Sequence, residues 1–244
     1  MQIANHMKDH VEKNLIDIRN AIAGAARACG RSPDEVRLIA VSKTHPPEAI
    51  ANAIAAGQRD FGESTVQEAL PKISHFRDQE LTWHFIGHLQ SNKARFIPGH
   101  FAWLHSLDSL SLARKLSRLA QEQSANINIL IEVNVFRDVK KHGVDPDALA
   151  GLVEQLIREN LPALNLRGLM TIGPHPATET EVRGCFARLR ELRDDCRRCF
   201  ELPRFTELSM GMSADYVEAI QEGSTMVRIG SAIFGKRDYS RKQS

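Results

Sequence analysis

The segment that decides the fold class runs Val36-Arg-Leu-Ile-Ala-Val-Ser-Lys-Thr-His-Pro46. Its first six residues are mostly apolar, which is typical of a buried strand, and a helical pattern follows from Pro46 to Gly57. A doubly wound open sheet normally carries a Gly-rich turn directly after its first strand. Here the strand runs into residues 42–45 (Ser-Lys-Thr-His) instead. The segment therefore favours a closed barrel over an open sheet.

The same alternation of a short apolar run with a longer amphipathic one continues along the chain. Strands that alternate with helices imply parallel pairing and right-handed crossovers. A barrel of this kind typically has ~250 residues, so the 244 residues of this chain suit one (β/α)8 TIM-type barrel of the α/β class. The predicted strands are Val36–Val41, Asp60–Glu63, Trp83–Gly87, Trp103–Leu107, Ile127–Val135, Leu166–Ile172, Glu207–Met210 and Met226–Phe234.

A single domain is expected over residues 1–244. No Pro-, Gly- or Ser-rich linker and no change in composition divides the chain. An extra helix is predicted over residues 3–29, where apolar residues recur at helical spacing before Gly30. The basic stretch at about residues 236–244 is interpreted as a solvated tail.

Composition and charge argue against several classes of function. The 32 basic and 30 acidic residues leave a formal net charge of +2, which gives no electrostatic footprint for nucleic acid. No apolar run approaches the roughly 20 residues of a membrane helix, and no signal core precedes the first helix. We therefore expect a cytoplasmic protein with no membrane partner. Four cysteines are too few for a disulfide framework.

Two residue pairs have spacings found in metal sites, but neither is expected to bind a metal. His84 and His88 lie on or just beyond a predicted strand, so they need not share a face. Cys196 and Cys199 lie in a charged helical stretch and have no second cysteine pair. The two thiols are interpreted as half-exposed.

Lys43 directly follows the first predicted strand, and active sites of such barrels lie at the carboxyl ends of the strands. Burial there would disfavour the charged form and leave a nucleophilic amine that can form a Schiff base. Taken alone, however, Lys43 fits better as a surface lysine whose charged end reaches water.

The loops after the seventh and eighth predicted strands change that interpretation. Ser209–Ser213 opens a helix that Ser213 can cap, and Val227–Ser231 ends the last strand. Glycines, hydroxyls and amide groups at a helix start can cradle a phosphate, and these two loops are the usual phosphate site of the barrel. Strands 1 and 8 are neighbours once the barrel closes. Lys43 and the cradle together therefore suit a phosphorylated aldehyde.

These motifs, in their order along the chain, resemble those of the YggS/PROSC family of PLP (pyridoxal 5'-phosphate) homeostasis proteins. The matching stretches are Leu38–Lys43, Phe61–Glu63, Val66–Glu68, Trp83–Lys93, Ser106–Asp108, Leu166–Met170, Leu208–Asp215 and Val227–Gly235. They cover nearly the whole chain. The stretches Trp83–Lys93 and Val227–Gly235 are too specific for a chance match.

The resemblance implies a fold-type III PLP barrel, like the N-terminal domain of alanine racemase, in which Lys43 carries PLP as an internal aldimine (a Schiff base). It also implies phosphate contacts from Ser213, Gly230 and Ser231. Arg228 is expected beside the pyridine nitrogen, where a donor-only cation makes the ring a weaker electron sink than an aspartate does. The candidate cofactor-binding residues are Lys43, Ser209, Met210, Gly211, Ser213, Arg228, Gly230 and Ser231.

The sequence departs from the family pattern at Ser64-Thr65, where the family usually has Asn-Tyr. In the family the asparagine side chain lies near the cofactor. A serine there can still donate a hydrogen bond, but with a shorter reach. The departure puts the contact from the second strand in doubt and leaves the lysine and phosphate assignments unchanged.

The sequence is compatible with two functions, a PLP-dependent enzyme and a protein that stores the cofactor. A racemase of this cofactor class needs a proton donor or acceptor on each face of the substrate, and Lys43 can serve one face. Alanine racemases supply a tyrosine from a second domain and another subunit. The chain's two tyrosines, Tyr216 and Tyr239, are not well placed for that role.

The favoured interpretation is therefore a non-catalytic PLP carrier or buffer in intracellular PLP (vitamin B6) homeostasis. It would be a monomer, with apo forms of PLP enzymes as candidate recipients. A PLP-dependent amino-acid racemase, or another small PLP enzyme, is the alternative. A pure protein-interaction module is a third class.

Overall fold

The computed structural model describes residues 2–235, so the predicted basic tail at 236–244 lies outside the described residues. The strands are β1 (Arg37–Val41), β2 (Asp60–Glu63), β3 (Thr82–Phe85), β4 (Trp103–Leu107), β5 (Ile127–Glu132), β6 (Leu164–Met170), β7 (Glu207–Ser209) and β8 (Met226–Ile229). The α-helices are α1 (Gln2–Ala28), α2 (Pro47–Ala55), α3 (Val66–His75), α4 (Leu110–Glu122), α5 (Leu149–Glu159), α6 (Glu179–Cys199), α7 (Tyr216–Gln221) and α8 (Ser231–Phe234). Short 3-10 helices occupy Pro33–Glu35, Ser91–Phe96 and Pro146–Ala148.

The strands form a closed parallel barrel in chain order, and β8 pairs with β1 to complete it. Across this closing seam Arg37 pairs with Met226 and Ala40 pairs with Ile229. The carboxyl ends of β1 and β8 therefore lie side by side. The predicted TIM-type barrel is confirmed, and a doubly wound open sheet is not what the chain forms.

The inside of the barrel combines an apolar cluster with buried polar side chains. Ile39, Trp103, Leu130, Met170 and Met226 form a cluster separate from the larger core, in which helix residues pack on strand residues. Alternate residues of a strand point to the same side, so polar residues two positions further along can share the interior. The buried polar side chains on β3, β4, β7 and β8 include His84, His105, Ser209 and Arg228.

The predicted N-terminal helix is confirmed with a shift of one residue at each end, as α1 spans Gln2–Ala28 rather than 3–29. Gly30 follows it with a φ of 70°, a left-handed conformation that glycine adopts without a steric penalty. The helix packs against α2, α7 and α8 on the outside of the barrel. Within residues 2–235, no helix is both long and apolar enough to cross a bilayer.

The last strand is shorter than predicted, because β8 ends at Ile229 and the apolar residues after Gly230 form the short helix α8. The backbone N–H of Ile233 donates to the carbonyl of Gly230 over 2.9 Å, which begins a helical turn there. A Cβ on Gly230 would lie 3.1 Å from the carbonyl oxygen of Val41. An apolar run predicts a buried strand, but here Ile233 is buried in the core as a helix residue.

Candidate functional site

A cavity of about 300 Å³ lies at the carboxyl ends of β1 and β8. Its size is at the lower end of the ~300–1,000 Å³ usual for small-molecule sites. Lys43 reaches it just after β1, and Arg228 and Gly230 reach it from the end of β8. The lining residues are Val41, Lys43, His45, Ile86, His175, Met212, Ser213, Ala214, Arg228, Gly230 and Ser231.

Five of the eight candidate cofactor-binding residues line this cavity, namely Lys43, Ser213, Arg228, Gly230 and Ser231. The other three are not in the lining. Ser209 is fully buried and bonded to other side chains, Met210 is buried in the hydrophobic core, and Gly211 is packed against α7. The structure thus brings Lys43 to the loops after β7 and β8. The first residues of the loop after β7 lie behind the cavity wall.

The backbone immediately before Lys43 is held by a buried ion pair. Lys72 Nζ donates to Glu63 Oε1 over 2.7 Å and to the carbonyl of Ser42 over 2.8 Å. The hydroxyl of Ser42 donates to the same Glu63 oxygen over 2.6 Å. Burial raises the pKa of Glu63, and the charge of Lys72 opposes that rise. These contacts fix the end of β1, from which the half-buried Lys43 enters the cavity.

The Ser213 hydroxyl joins the loop after β7 to α8, where it accepts a hydrogen bond from the backbone N–H of Ala232 over 3.4 Å. The prediction that Ser213 caps the next helix is wrong, because α7 begins at Tyr216 and Asp215 precedes it. Asp215 holds the turn instead, since its Oδ1 accepts from the N–H of Met212 over 2.6 Å. Ser213 therefore stays in the cavity wall.

The lining fits a phosphorylated anion in its chemistry. Among the described residues it contains the side chains of Lys43 and Arg228, the hydroxyls of Ser213 and Ser231, and no aspartate or glutamate. Cations, hydroxyls and backbone N–H groups near glycine are the donors that phosphate groups prefer. Gly230 leaves the backbone of this wall uncovered by a side chain. The residues present therefore suit PLP.

Arg228 is a buried guanidinium in the wall of the cavity. Its Nη1 donates to the hydroxyl of Ser209 over 2.7 Å, and its Nη2 donates to the carbonyl of Thr171 over 2.9 Å. Burial lowers the pKa of Arg228 to about 10, and the charges of Glu132 and Asp215 oppose that decrease. The side chain is therefore still a cation at neutral pH, held in one orientation by two acceptors.

Sequence reasoning did not anticipate the two histidines in the lining, His45 and His175. The ring of His45 packs against Phe234 with centroids 5.0 Å apart. His45 lies only two residues after Lys43, and that proximity was the signal available for it. His175 lies in the loop after β6, and no local pattern in the sequence connects it with the cavity.

Ser64 and Thr65, which depart from the family pattern, lie outside the cavity lining and border a neighbouring pocket with His88. Thr65 caps α3, because its hydroxyl accepts from the N–H of Glu68 over 3.4 Å. A Cβ on Gly87 would lie 2.1 Å from the carbonyl oxygen of Ser64. The loop after β2 is therefore held tightly against the loop after β3, whichever side chain residue 64 carries.

The residue pairs with metal-site spacing do not belong to larger clusters. Within the part of the chain that the structure describes, no group of three or more His, Cys, Asp or Glu side chains is arranged to hold a metal ion. Cys196 is buried and Cys199 is exposed. The interpretation of both thiols as half-exposed is therefore wrong, because Cys196 packs in the core and Cys199 does not.

The family model of the alanine racemase N-terminal domain matches residues 14–238 of this chain. Among curated proteins, the pyridoxal phosphate homeostasis protein of Escherichia coli strain K12 is 45% identical over 243 residues. The alignment covers 95% of this chain and 99% of that relative. The two proteins therefore match over nearly their whole lengths.

Solved structures agree with these matches. PipY of Synechococcus elongatus, determined with PLP bound, has a TM-score of 0.82 and 41% identity, and the match covers 92% of this chain and 100% of PipY. An alanine racemase of Clostridium difficile has a TM-score of 0.70 at 16% identity, over 93% of this chain and 57% of the racemase. At that identity the likeness to the racemase shows the fold alone.

Proposed function

This chain belongs to the alanine racemase N-terminal domain family and, within it, to the pyridoxal phosphate homeostasis proteins, and on that premise we propose that it binds PLP through Lys43. Its role is to hold the cofactor and keep it available inside the cell, without catalytic turnover. The relatives that carry this name match over nearly their full length, and a structural relative was determined with PLP bound.

The observation that carries the proposal is the cavity that Lys43 shares with the loops after β7 and β8. Bound PLP would supply an electrophilic aldehyde and, on the neighbouring carbon of its ring, an arm that carries the phosphate. Lys43 offers the amine for covalent attachment. Ser213, Ser231 and the backbone at Gly230 bind the phosphate. Arg228 would donate to the ring nitrogen and would keep a proton away from it, because a guanidinium has donors only.

A direct test is to reduce the protein with borohydride in the presence of PLP and to map the modified peptide by mass spectrometry. We expect the adduct on Lys43, its loss in Lys43→Ala, and its retention in Lys13→Ala, a control on the exposed surface of α1. An adduct on another lysine would reassign the site. No adduct at all would remove the cofactor from the function and favour a protein-interaction module.

The wider biological role is proposed on the same basis. We propose that the whole chain is one domain that acts as a monomer in the cytoplasm, and that apo forms of PLP enzymes receive the cofactor from it. Each of the strands β1 to β8 pairs on both sides within the closed barrel, so none of these eight presents an edge that another subunit could extend. Transfer can be tested by mixing the loaded protein with an apo PLP enzyme and following the recovery of its activity. Free PLP at the same concentration is the control.

A PLP-dependent amino-acid racemase is the second candidate function, and His45 and His175 in the lining are the observation that favours it. Either imidazole could move a proton on the face of a substrate that Lys43 does not reach. Tyr216 packs partly buried against the hydrophobic core, and Tyr239 lies outside the described residues. Incubation with alanine, serine or glutamate in deuterium oxide distinguishes the two functions. Exchange of the Cα proton at rates near those of a true racemase would overturn the carrier proposal.

A further inference from the structure

A continuous chain of hydrogen bonds crosses the inside of the barrel, from the partly exposed Asp60 to the buried Arg228. At its far end Asp60 Oδ1 lies 3.0 Å from His84 Nε2. His84 Nδ1 lies 3.0 Å from His105 Nε2. His105 Nδ1 lies 2.8 Å from the hydroxyl of Ser209, and that hydroxyl accepts from Arg228 Nη1 over 2.7 Å. The chain therefore links the amino end of β2 to the cavity wall through β3, β4 and β7.

The hydrogen bonds of this chain can run in only one direction while both imidazoles are neutral. An ionised Asp60 only accepts, so His84 must carry its proton on Nε2 and accept at Nδ1. His105 then donates from Nε2 and accepts at Nδ1, so the hydroxyl of Ser209 donates to it. That leaves the lone pairs of Ser209 to accept from Arg228. Reversing either tautomer would place two acceptors face to face.

The surroundings of the two imidazoles favour the neutral form. His84 and His105 are fully buried, and burial lowers the pKa of both below the usual value for histidine. Arg37 lowers both pKa values further, and only Asp60 opposes the decrease, at His84. The His84 ring also stacks on Trp103 with centroids 5.8 Å apart, which fixes its plane.

We propose that Asp60, His84, His105 and Ser209 are positioning residues for the cofactor cavity, acting as a polarised relay that holds Arg228 in the orientation needed to donate to the bound ring. The relay has an acceptor carboxylate at one end and a donor cation at the other. Each imidazole donates from Nε2 and accepts at Nδ1. Donation from one ring nitrogen makes the other nitrogen a stronger acceptor, so the hydrogen bonds reinforce one another. The effect of the relay on PLP binding rests on the proposed function. The direction of its hydrogen bonds rests on the hydrogen-bond geometry alone.

The direction of the relay is tested by long-range ¹H–¹⁵N correlation spectra of the full chain labelled on histidine, recorded at neutral pH without PLP. We expect both His84 and His105 as neutral tautomers protonated on Nε2. A proton on Nδ1 of either ring, or a doubly protonated ring, would overturn the inference. This readout does not depend on the cofactor, so it stays decisive even if the proposed function fails.

The effect on the cavity is tested with Ser209→Ala, and Ser117→Ala serves as the matched control. Ser117 is also a buried serine with one strong hydrogen bond, to the carbonyl of Pro162 over 2.6 Å, but it lies on α4 and does not line the cavity. Ser209→Ala removes the hydroxyl that accepts a hydrogen bond from the Arg228 guanidinium. Its loss should weaken PLP binding by about tenfold. The control should bind PLP like the parent protein.

The spectrum of Ser209→Ala provides a signature that general destabilisation would not give. The ¹⁵N signal of His105 Nδ1 should move towards that of an acceptor without a hydrogen bond, while the proton on Nε2 stays. Equal weakening of PLP binding in both serine variants, or unchanged binding in Ser209→Ala, would overturn the positioning role. If the parent protein does not bind PLP but shows both Nε2–H tautomers, the proposed function fails and the relay stands.

Discussion

Glu132 is a buried carboxyl at the end of β5, close enough to Arg228 and Asp108 for their charges to influence it. Burial raises the pKa of Glu132 from 4.5 to about 7, and the positive charge of Arg228 opposes the rise. Near neutral pH the carboxyl is therefore partly protonated beside a cation in the cavity wall. Its charge state affects both the stability of the barrel and the electrostatic field around Arg228.

Glu132 should make its own pH-dependent contribution to stability. The unfolded carboxyl ionises near pH 4.5 and the folded one near pH 7, so between these values the folded state binds more protons. The stabilisation is present below the unfolded pKa and is lost as the pH rises to about 7, by up to about 3 kcal/mol. The Glu132→Gln variant has no carboxyl to titrate at this position, so its free energy of unfolding should not decrease in this way as the pH rises. Urea unfolding of parent and variant at about pH 5 and about pH 8 measures the difference.

The control for this comparison is Glu154→Gln, an exposed glutamate on α5. It should follow the parent protein at both pH values. If the free energies of unfolding of Glu132→Gln and the parent change in parallel between the two pH values, the carboxyl of Glu132 does not titrate in this range.

At the scale of an element, the loop between β7 and α7 depends on one glycine conformation. Gly211 has a φ of 94°, which is left-handed. A Cβ there would lie 2.6 Å from the Cβ of Ala219 and 3.0 Å from the Cα of Tyr216. Gly211 thus lets the chain turn closely over α7, so that Met212 and Ser213 reach the cavity. Gly211 therefore shapes the loop between β7 and α7. The sequence had predicted that this glycine contacts the cofactor.

Gly211→Ala should therefore cost stability and weaken PLP binding together. Strain in the backbone and the steric overlap should lower the free energy of unfolding by about 1–3 kcal/mol. Gly184→Ala is the matched control, since Gly184 lies within α6 and a Cβ there meets nothing within 4 Å. That variant should be more stable by about 0.5–1 kcal/mol. Denaturant unfolding and PLP titration of both variants measure these effects, and equal stability of the two would contradict the role of Gly211.

At the scale of the whole molecule, closing the barrel joins the two ends of the sequence. Leu38 pairs with Val227 across the seam between β1 and β8. α1 packs against α8 outside that seam, where the Asn14 side chain donates to the carbonyl of Ile233 over 2.9 Å. A cofactor held by both Lys43 and the loop after β8 would bridge this seam. Binding should therefore stabilise the fold as one unit.

PLP should raise the midpoint of a single cooperative thermal transition. A ligand that binds only the folded state stabilises it by ~2.7 kcal/mol when its free concentration is about 100 times the dissociation constant. Lys43→Ala should lose most of this stabilisation at the same PLP concentration. Calorimetry with and without PLP measures it, and light scattering should give the mass of one 27.3 kDa chain. Two separate transitions, or a dimer mass, would contradict a one-domain monomer.

The sequence by itself determined the barrel, the order of its strands and the meeting of Lys43 with the loops after β7 and β8. These features follow from local signals, because apolar runs, helix ends and chain order limit how parallel strands can pair. The same signals misplaced the end of β8, since an apolar run such as that around Ile233 is buried equally well in a helix. Local patterns could not separate these two outcomes.

Only the tertiary structure decided which side chains meet across the barrel. Ser209 and Arg228 belong to predicted motifs, but their link through His105 and His84 to Asp60 joins residues far apart in the chain. Closure buries His84, His105, Ser209 and Arg228 together inside the barrel. Buried polar groups need hydrogen-bond partners there. The pairing of these groups depends on the register and curvature of the whole barrel.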